Sequence, residues 1–100
     1  MILVVTTNVS GRIRGYLCSL FLEIAPTVYL ASGINRSARS RIWDVLVEWF
    51  SYEEDGASII MAWRDSTVIS GVAYQVLGDP AISIIELDGV LLGLKPIKNK

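Results

Sequence analysis

Residues 2–15 read ILVVTTNVSGRIRG, and this stretch decides the fold because it holds a strand, a turn and a helix start. The run from Ile2 to Thr6 is apolar on both faces, which predicts a central strand of a sheet. Ser10 can cap the helix that follows. Arg12 and Arg14 fall in its first turns, where backbone N–H groups and the helix dipole both favour an anion. The stretch predicts a phosphate site, with an incidental pair of surface arginines as the alternative.

Helical spacing of apolar residues continues from this start. It predicts a helix that ends near Glu23 to Ala25, because Pro26 cannot continue it. The core stripe expected of this helix is Ile13, Leu17, Leu20, Phe21 and Ile24. A second helix is predicted from about Ser37 to Tyr52, with Gly56 ending it. Its expected core stripe is Ile42, Val45, Leu46, Trp49 and Phe50.

Strand patterns fill the rest of the chain. The β-branched and aromatic run from Thr27 to Ala31 predicts a second strand. Two further strands are expected at 58–63 and 72–77, joined by a polar turn at 65–70. The Asp88-Gly89 turn predicts a C-terminal hairpin of Ile82–Leu87 and Val90–Leu94. We therefore expect one domain over residues 1–95 and a flexible basic tail over residues 96–100.

Two helices can cover only one face of such a sheet. The strands are nevertheless apolar on both sides, since Tyr29, Ile60, Ala62 and Ala73 lie opposite Val28, Ile59, Met61 and Val72. A second apolar face needs a cover, which a twofold homodimer supplies most simply. The sequence thus predicts an α+β two-layer sandwich that forms a dimer.

Charge is distributed unevenly although the net charge is only −1. Residues 1–43 carry five arginines and one acid, whereas residues 44–94 carry nine acids and one arginine. Arginines crowd the start of the second helix and acids crowd its end, both against the helix dipole. This arrangement points either to an external anion at the arginine end or to partners that folding brings from elsewhere.

Several classes of function are excluded by composition. The chain has no histidine and one cysteine, so it can form neither an internal disulfide, nor a zinc site, nor a histidine-based catalytic triad. Cys18 is expected to be buried. No signal peptide is visible, and Pro26 interrupts the apolar stretch 15–34, so we expect a cytoplasmic protein without a membrane segment.

A set of short fragments in fixed order resembles one family. The fragments are Val4-Val5-Thr6-Thr7-Asn8, Arg12-Ile13-Arg14-Gly15, Leu22-Glu23, Val28-Tyr29, Arg39 with Ile42-Trp43, Met61-Ala62-Trp63 and Leu87-Asp88-Gly89. Together they resemble the small CRISPR-associated adaptation proteins, the Cas-two family, in its type I-E branch. The resemblance implies a ferredoxin-like fold with an antiparallel sheet, two helices on one face, an extra C-terminal hairpin and a twofold dimer joined through its sheets.

The resemblance also implies a function. Such a dimer bridges two dimers of the CRISPR integrase, Cas-one, and holds double-stranded prespacer DNA for spacer acquisition in antiviral defence. The small subunit positions the DNA backbone, while the integrase performs the chemistry. The segment Ile82–Leu94 would supply strands at subunit and integrase contacts.

The residues expected to contact nucleic acid are Asn8, Arg12, Arg14, Arg36, Arg39 and Arg41. All except Arg36 and Arg41 match the family pattern; these two are included because of charge clustering alone. The amide of Asn8 would touch DNA or cap the turn. The chain departs from the family at Gly78-Asp79-Pro80, where many members carry an arginine pair, and at Thr7, where a glutamate is common. Thr27–Ala31 replaces a Gly-Val-Tyr-Val-Gly pattern.

Two other functions stay open on the sequence. Some relatives are assigned as Mg²⁺-dependent endonucleases acting on DNA or RNA through an Asp at the end of the first strand, but that place here offers no carboxylate. The nearest acids, Asp65 and Asp88, lie in predicted turns. A dimer that binds a small ligand or a protein is the third possibility. Trp49 and Trp63 are expected to pack in the core rather than stack on bases, and Trp43 to lie beside the helical stripe.

Overall fold

The computed structural model describes residues 1–80, 83–87 and 89–94. Its elements are β1 (Ile2–Thr7), α1 (Gly11–Leu20), β2 (Leu22–Ala25), β3 (Val28–Ala31), α2 (Arg36–Phe50), β4 (Ser58–Arg64), β5 (Val72–Gly78), β6 (Ser83–Leu87) and β7 (Val90–Leu94). Strands β2-β3-β1-β4-β5 form an antiparallel sheet in that order, and β6 and β7 form a hairpin. The predicted ferredoxin-like sandwich is confirmed. β1 lies between β3 and β4, which is the central position that its two apolar faces predicted.

The core lies between both helices and one face of the sheet. Alternate residues of β1 point to the helices, because Ile2, Val4 and Thr6 are at most 2% exposed. The buried apolar cluster is formed by Ile2, Val4, Ile13, Leu17, Phe21, Tyr29, Ile42, Leu46, Ile59 and Met61. The predicted stripe is confirmed in part: Ile13, Leu17 and Phe21 from the first helix segment and Ile42 and Leu46 from α2 are buried. Tyr29 shares this face with Met61, its neighbour across β1.

The predicted end of the first helix is wrong. α1 ends at Leu20, and the next four residues form the edge strand β2, which pairs with β3 through a bulge between Glu23 and Ala25. The turn between the two strands is tight: Thr27 adopts φ +67° and donates its N–H to the Glu23 carboxylate at 3.0 Å. Strand pairing therefore overrides helical spacing here, and Leu20 and Ile24 are 43% and 52% exposed instead of buried.

Two smaller expectations are also corrected. α2 ends at Phe50 with Ser51 as its C-cap, so Gly56 does not end it; Gly56 lies in the loop before β4 with φ +91°. Cys18 is exposed, because it follows the buried Leu17 by one residue and so points about 100° away from the core stripe.

The second face of the sheet is mainly apolar, and no helix formed by the described residues covers it. The apolar residues that register places on this face, which we call the open face, are Leu3, Val5, Leu22, Val28, Leu30, Ile60, Ala62, Val72, Tyr74 and Val76; Arg64, which pairs with Val72, lies at its margin. Leu22 is 69% exposed and Leu3, Val72 and Val76 are 36–37% exposed. The expectation of a second apolar face is confirmed, although Tyr29 and Ala73 belong to the helix side.

The C-terminal hairpin lies beside β5. The Tyr74 hydroxyl donates to the carbonyl of Ile84 at 3.3 Å, which ties β6 to the open face. Ile82 and Asp88 of the predicted hairpin, and the predicted tail 96–100, lie outside the described residues. Within those residues, no helix has the length and hydropathy needed to cross a membrane.

Candidate nucleic-acid interface

The six residues predicted to contact nucleic acid fall into two groups at opposite ends of the sheet. α1 starts where β1 ends, whereas α2 starts beyond the end of β3, whose Ala31 pairs with Ile2 at the beginning of β1. A strand of six residues spans roughly 17 Å between these ends. We call Asn8, Arg12 and Arg14 the first arginine site. Arg36, Arg39 and Arg41 belong to the other end.

The first arginine site rests on a tryptophan. The guanidinium of Arg12 lies 4.0 Å above the ring of Trp49, and Trp49 packs edge-on against Tyr16 with ring centroids 5.0 Å apart. Stacking uses the flat face of a guanidinium, while its five N–H donors lie in the plane. Trp49 thus packs partly into the core, as predicted, and also holds Arg12 at the surface. Arg14 is exposed on the same helix.

The start of α1 is occupied by a carboxylate of the protein itself. Ser10 is the N-cap residue, but its side chain makes no capping bond; its backbone N–H donates to Oε1 of Glu53. This contact explains one of the acids that follow α2, since Glu53 lies at the positive end of the dipole of α1. Glu53 and Glu54 also line a cleft of about 300 Å³ beside Asn8. The phosphate site predicted on the backbone of this helix start is therefore filled at Ser10.

Asn8 has a structural contact. It adopts φ +52°, a region in which asparagine is enriched, and its side-chain amide donates to the carbonyl of Gly56 at 3.5 Å. This bond links the turn before α1 to the loop before β4. The bond to Gly56 is neither of the two roles predicted for Asn8, because it joins two loops 48 residues apart instead of capping the turn, and the contact with DNA stays a prediction.

The other end of the sheet carries a groove of about 240 Å³. Its lining residues are Arg36, Arg39, Trp63, Arg64, Asp65, Ser66 and Thr67. The guanidinium of Arg39 lies 4.0 Å above the ring of Trp63, which repeats the arrangement of Arg12 on Trp49. We call Arg36, Arg39 and Arg64 the second arginine site. Arg41 is exposed on α2 and is not a lining residue of this groove.

Arg64 was missed from the sequence because its signal is one of register. Arg64 is the last residue of β4. The residue before it, Trp63, pairs with Ile2 of β1, and Ile2 also pairs with Ala31 at the end of β3. Although register pairs Arg64 with Val72 on the open face, its position at the end of β4 lets it line the same groove as the start of α2, 28 residues earlier in the chain. A charged residue directly after the apolar run of β4 was the only local sign.

Among the described residues that line this groove, Asp65 is the acid. Hydrogen bonds from the side chain and the backbone of Thr67, at 2.6 and 2.9 Å, lower the pKa of Asp65, and the charges of Arg36 and Arg39 act in the same direction. The charges of Arg36 and Arg39 therefore both act on the carboxylate of Asp65. The groove holds three guanidinium groups against one carboxylate.

Carboxylates for a catalytic metal are sparse in the part of the chain that the structure describes. No group of three or more Asp, Glu, Cys or His side chains is close enough there to hold a metal ion. The end of β1 presents Thr6 and Thr7, and Asp65 is engaged by Thr67 between arginines, a poor setting for Mg²⁺. Asp88 lies outside the described residues.

Comparison with protein families identifies a match over most of the chain. The family model described as CRISPR-associated protein (Cas_Cas2CT1978) matches residues 1–92. The matched range includes β1 to β6, both helices and both arginine sites. The chain therefore belongs to this family of Cas-two-like CRISPR-associated proteins.

Proposed function

We propose that the chain is a non-catalytic, DNA-positioning subunit of a CRISPR spacer-acquisition complex, in the type I-E branch of the family. The observation that carries the proposal is the repeated stacking of an arginine on a partly buried tryptophan, Arg12 on Trp49 and Arg39 on Trp63. A surface guanidinium held in place loses less conformational entropy when it binds a phosphate than one that is mobile.

The contacts in this proposal are sequence-independent. Arg12, Arg14, Arg36, Arg39 and Arg41 meet phosphates of duplex DNA, which position the duplex and carry no base readout. The negative net charge of the whole chain does not oppose this, because charge is unevenly distributed: Arg36, Arg39 and Arg64 share one groove with Asp65. The proposal implies a cytoplasmic protein, where its DNA substrate is present.

The open face supports a homodimer. Ten mostly apolar residues without a helix above them form a surface that water covers unfavourably, and a second copy brings an identical, self-complementary surface. In this proposal the dimer carries four arginine sites and joins two integrase dimers, with β6 and β7 offering strands for augmentation. Size-exclusion chromatography with light scattering tests the dimer. Ala62→Glu, at the centre of the open face, should yield monomers, and Gln75→Glu on the other face should not.

The DNA contacts are tested by salt dependence. A labelled duplex of about 30 base pairs is titrated with protein at several salt concentrations, since log K falls with log salt by about 0.9 per phosphate neutralised. Replacing both Arg12 and Arg14 by Ala should reduce this slope by up to about 1.8 per chain. The matched variant with Lys at both positions should keep most of the slope. An unchanged slope in the alanine variant would contradict the assignment.

The same duplex distinguishes positioning from cleavage. It is incubated with the protein in Mg²⁺ and, separately, in EDTA, then run on native and denaturing gels. A shifted, intact duplex in both buffers supports the proposal. Strands shortened only in Mg²⁺ would favour the endonuclease instead, and Asp65→Ala would then test whether that acid takes part.

A further inference from the structure

The groove of the second arginine site has the features of a separate anion site. Arg36 and Arg39 occupy the first turn of α2, and Arg64 comes from the end of β4. Three guanidinium groups from two elements therefore line one groove of about 240 Å³, together with the hydroxyl-bearing residues Ser66 and Thr67. A phosphate group fits within this volume, and arginine donors match its geometry.

Electrostatics leave this groove positive. Asp65 offsets one of the three arginine charges, and its oxygen already accepts two hydrogen bonds from Thr67. The first turn of α2 contains no acid, so the positive end of the helix dipole adds to the same potential. The first arginine site differs here, because Glu53 binds the start of α1 and a second acid lies beside it.

The two sites cannot meet on one phosphate. They lie at opposite ends of β1, roughly 17 Å apart along the sheet, which exceeds the width of a phosphate several times over. We infer that Arg64, with Arg36 and Arg39, forms a second phosphate-binding site that engages nucleic acid independently of Arg12 and Arg14. This inference rests on the proposed function for its nucleic-acid ligand, and it adds Arg64 as a contact residue.

The indole groups serve as separate reporters. Trp49 lies under Arg12 and Trp63 under Arg39, and the indole N–H of Trp63 is buried without a hydrogen-bond partner among the described residues. In a ¹⁵N–¹H correlation spectrum the two indole signals are resolved and assigned with Trp49→Phe and Trp63→Phe. Inorganic phosphate, at constant ionic strength in chloride, should shift the Trp63 signal saturably. Arg64→Ala should weaken this response about tenfold or more, and Arg64→Lys should restore part of it.

Arg12→Ala is the matched control, because it removes a guanidinium from the other tryptophan. It should leave the Trp63 response to phosphate unchanged, while Arg64→Ala should leave the Trp49 response to duplex unchanged. Asp65→Asn should strengthen the Trp63 response, since it removes the opposing charge. Duplexes with 5′-phosphate and with 5′-hydroxyl ends then distinguish a terminal phosphate from an internal phosphodiester as the ligand.

The outcomes separate the inference from the proposed function. If duplex shifts Trp49 but neither duplex nor phosphate shifts Trp63, the inference is wrong and the proposed function stands. If duplex fails to bind at all, the proposed function is wrong, and the phosphate titration of Trp63 alone decides whether the site exists. A Trp63 response that Arg64→Ala leaves intact would also overturn the inference.

Discussion

Gly78 allows the sharpest prediction about stability, because both its backbone and its surroundings exclude a side chain. It ends β5 with φ +78°, and a Cβ built there would overlap the carbonyl oxygen of Ala57 and come within 2.8 Å of Cζ of Phe50. A left-handed backbone costs a non-glycine residue about 1–2 kcal/mol. Overlap in a packed region adds about 1–3 kcal/mol. We expect Gly78→Ala to lower the free energy of unfolding by about 2–5 kcal/mol.

Gly71 supplies the matched control. It has the same φ of +78°, but no atom lies within 4 Å of the position that its Cβ would take. Gly71→Ala therefore meets the backbone cost alone, which the reduced entropy of the unfolded chain offsets by about 0.4–1 kcal/mol. We expect a loss of about 1 kcal/mol or less. The difference between the two variants isolates the overlap with Ala57 and Phe50.

Thermal and urea unfolding, followed by circular dichroism at one fixed protein concentration, measure this difference. A domain of this size shifts its midpoint by about 4–8 °C per kcal/mol, so Gly78→Ala should melt roughly 10 °C below Gly71→Ala. Equal midpoints for the two variants would refute the reasoning, because they would mean that β5 moves away from Ala57 without cost. A denaturant slope that changes along with the midpoint would indicate a loss of two-state behaviour instead.

Three other predictions follow from single contacts. Glu53→Gln keeps an acceptor for the Ser10 N–H but removes a negative charge beside the first arginine site. The affinity for DNA at low salt should therefore rise about twofold to threefold, and by more than in the Glu54→Gln variant. An unchanged affinity would show that the charge of Glu53 does not oppose DNA binding. Tyr29→Phe should change the free energy of unfolding in urea by about 1 kcal/mol or less, because the buried hydroxyl makes no hydrogen bond of ordinary geometry among the described residues, although the Glu23 carboxylate acts on it. A larger loss would show that the contact between Tyr29 and Glu23 stabilises the fold. Burial raises the pKa of both Tyr16 and Tyr29 above the ordinary value of 10, so the folded state holds these protons more tightly than the unfolded state. The free energy of unfolding should be constant up to about pH 10 and fall as the pH rises through the raised pKa values. A flat profile in alkaline solution would contradict this.

The central part of the fold was predictable because its signals are local and redundant. β1 is apolar on both faces, which predicts a central strand, and the sheet places it between β3 and β4. β2 was not predictable by the same logic. Leu20, Phe21 and Ile24 follow helical spacing, and a four-residue edge strand carries too few residues to contradict it. Its pairing with β3 is a tertiary contact that no window of sequence contains.

The candidate site, like the fold, was predictable from the sequence only in part. The arginine clusters are visible in the sequence, and so is the conflict between the charges of α2 and its dipole. What resolves that conflict is long-range: Glu53 binds the start of α1 43 residues earlier, and Arg39 stacks on Trp63. The antiparallel course of β1 and β3 sends the two helix starts to opposite ends of the sheet. The composition of a cluster therefore could not reveal that it forms two sites.

The two edges of the sheet differ in a way that limits how copies can grow into larger particles. β2 has only four residues, a bulge and a following proline, all of which impede pairing with another strand, whereas β5 presents seven residues at the other edge of the described sheet. Two single chains that met along β5, in place of the open-face dimer, would leave only the blunted β2 edges outward. Such a pair closes on itself, while a sheet with two equal edges would extend into a fibril. We therefore expect light scattering from concentrated solutions to show small particles of constant size. Scattering that grows steadily with time would show that the edges do not limit assembly.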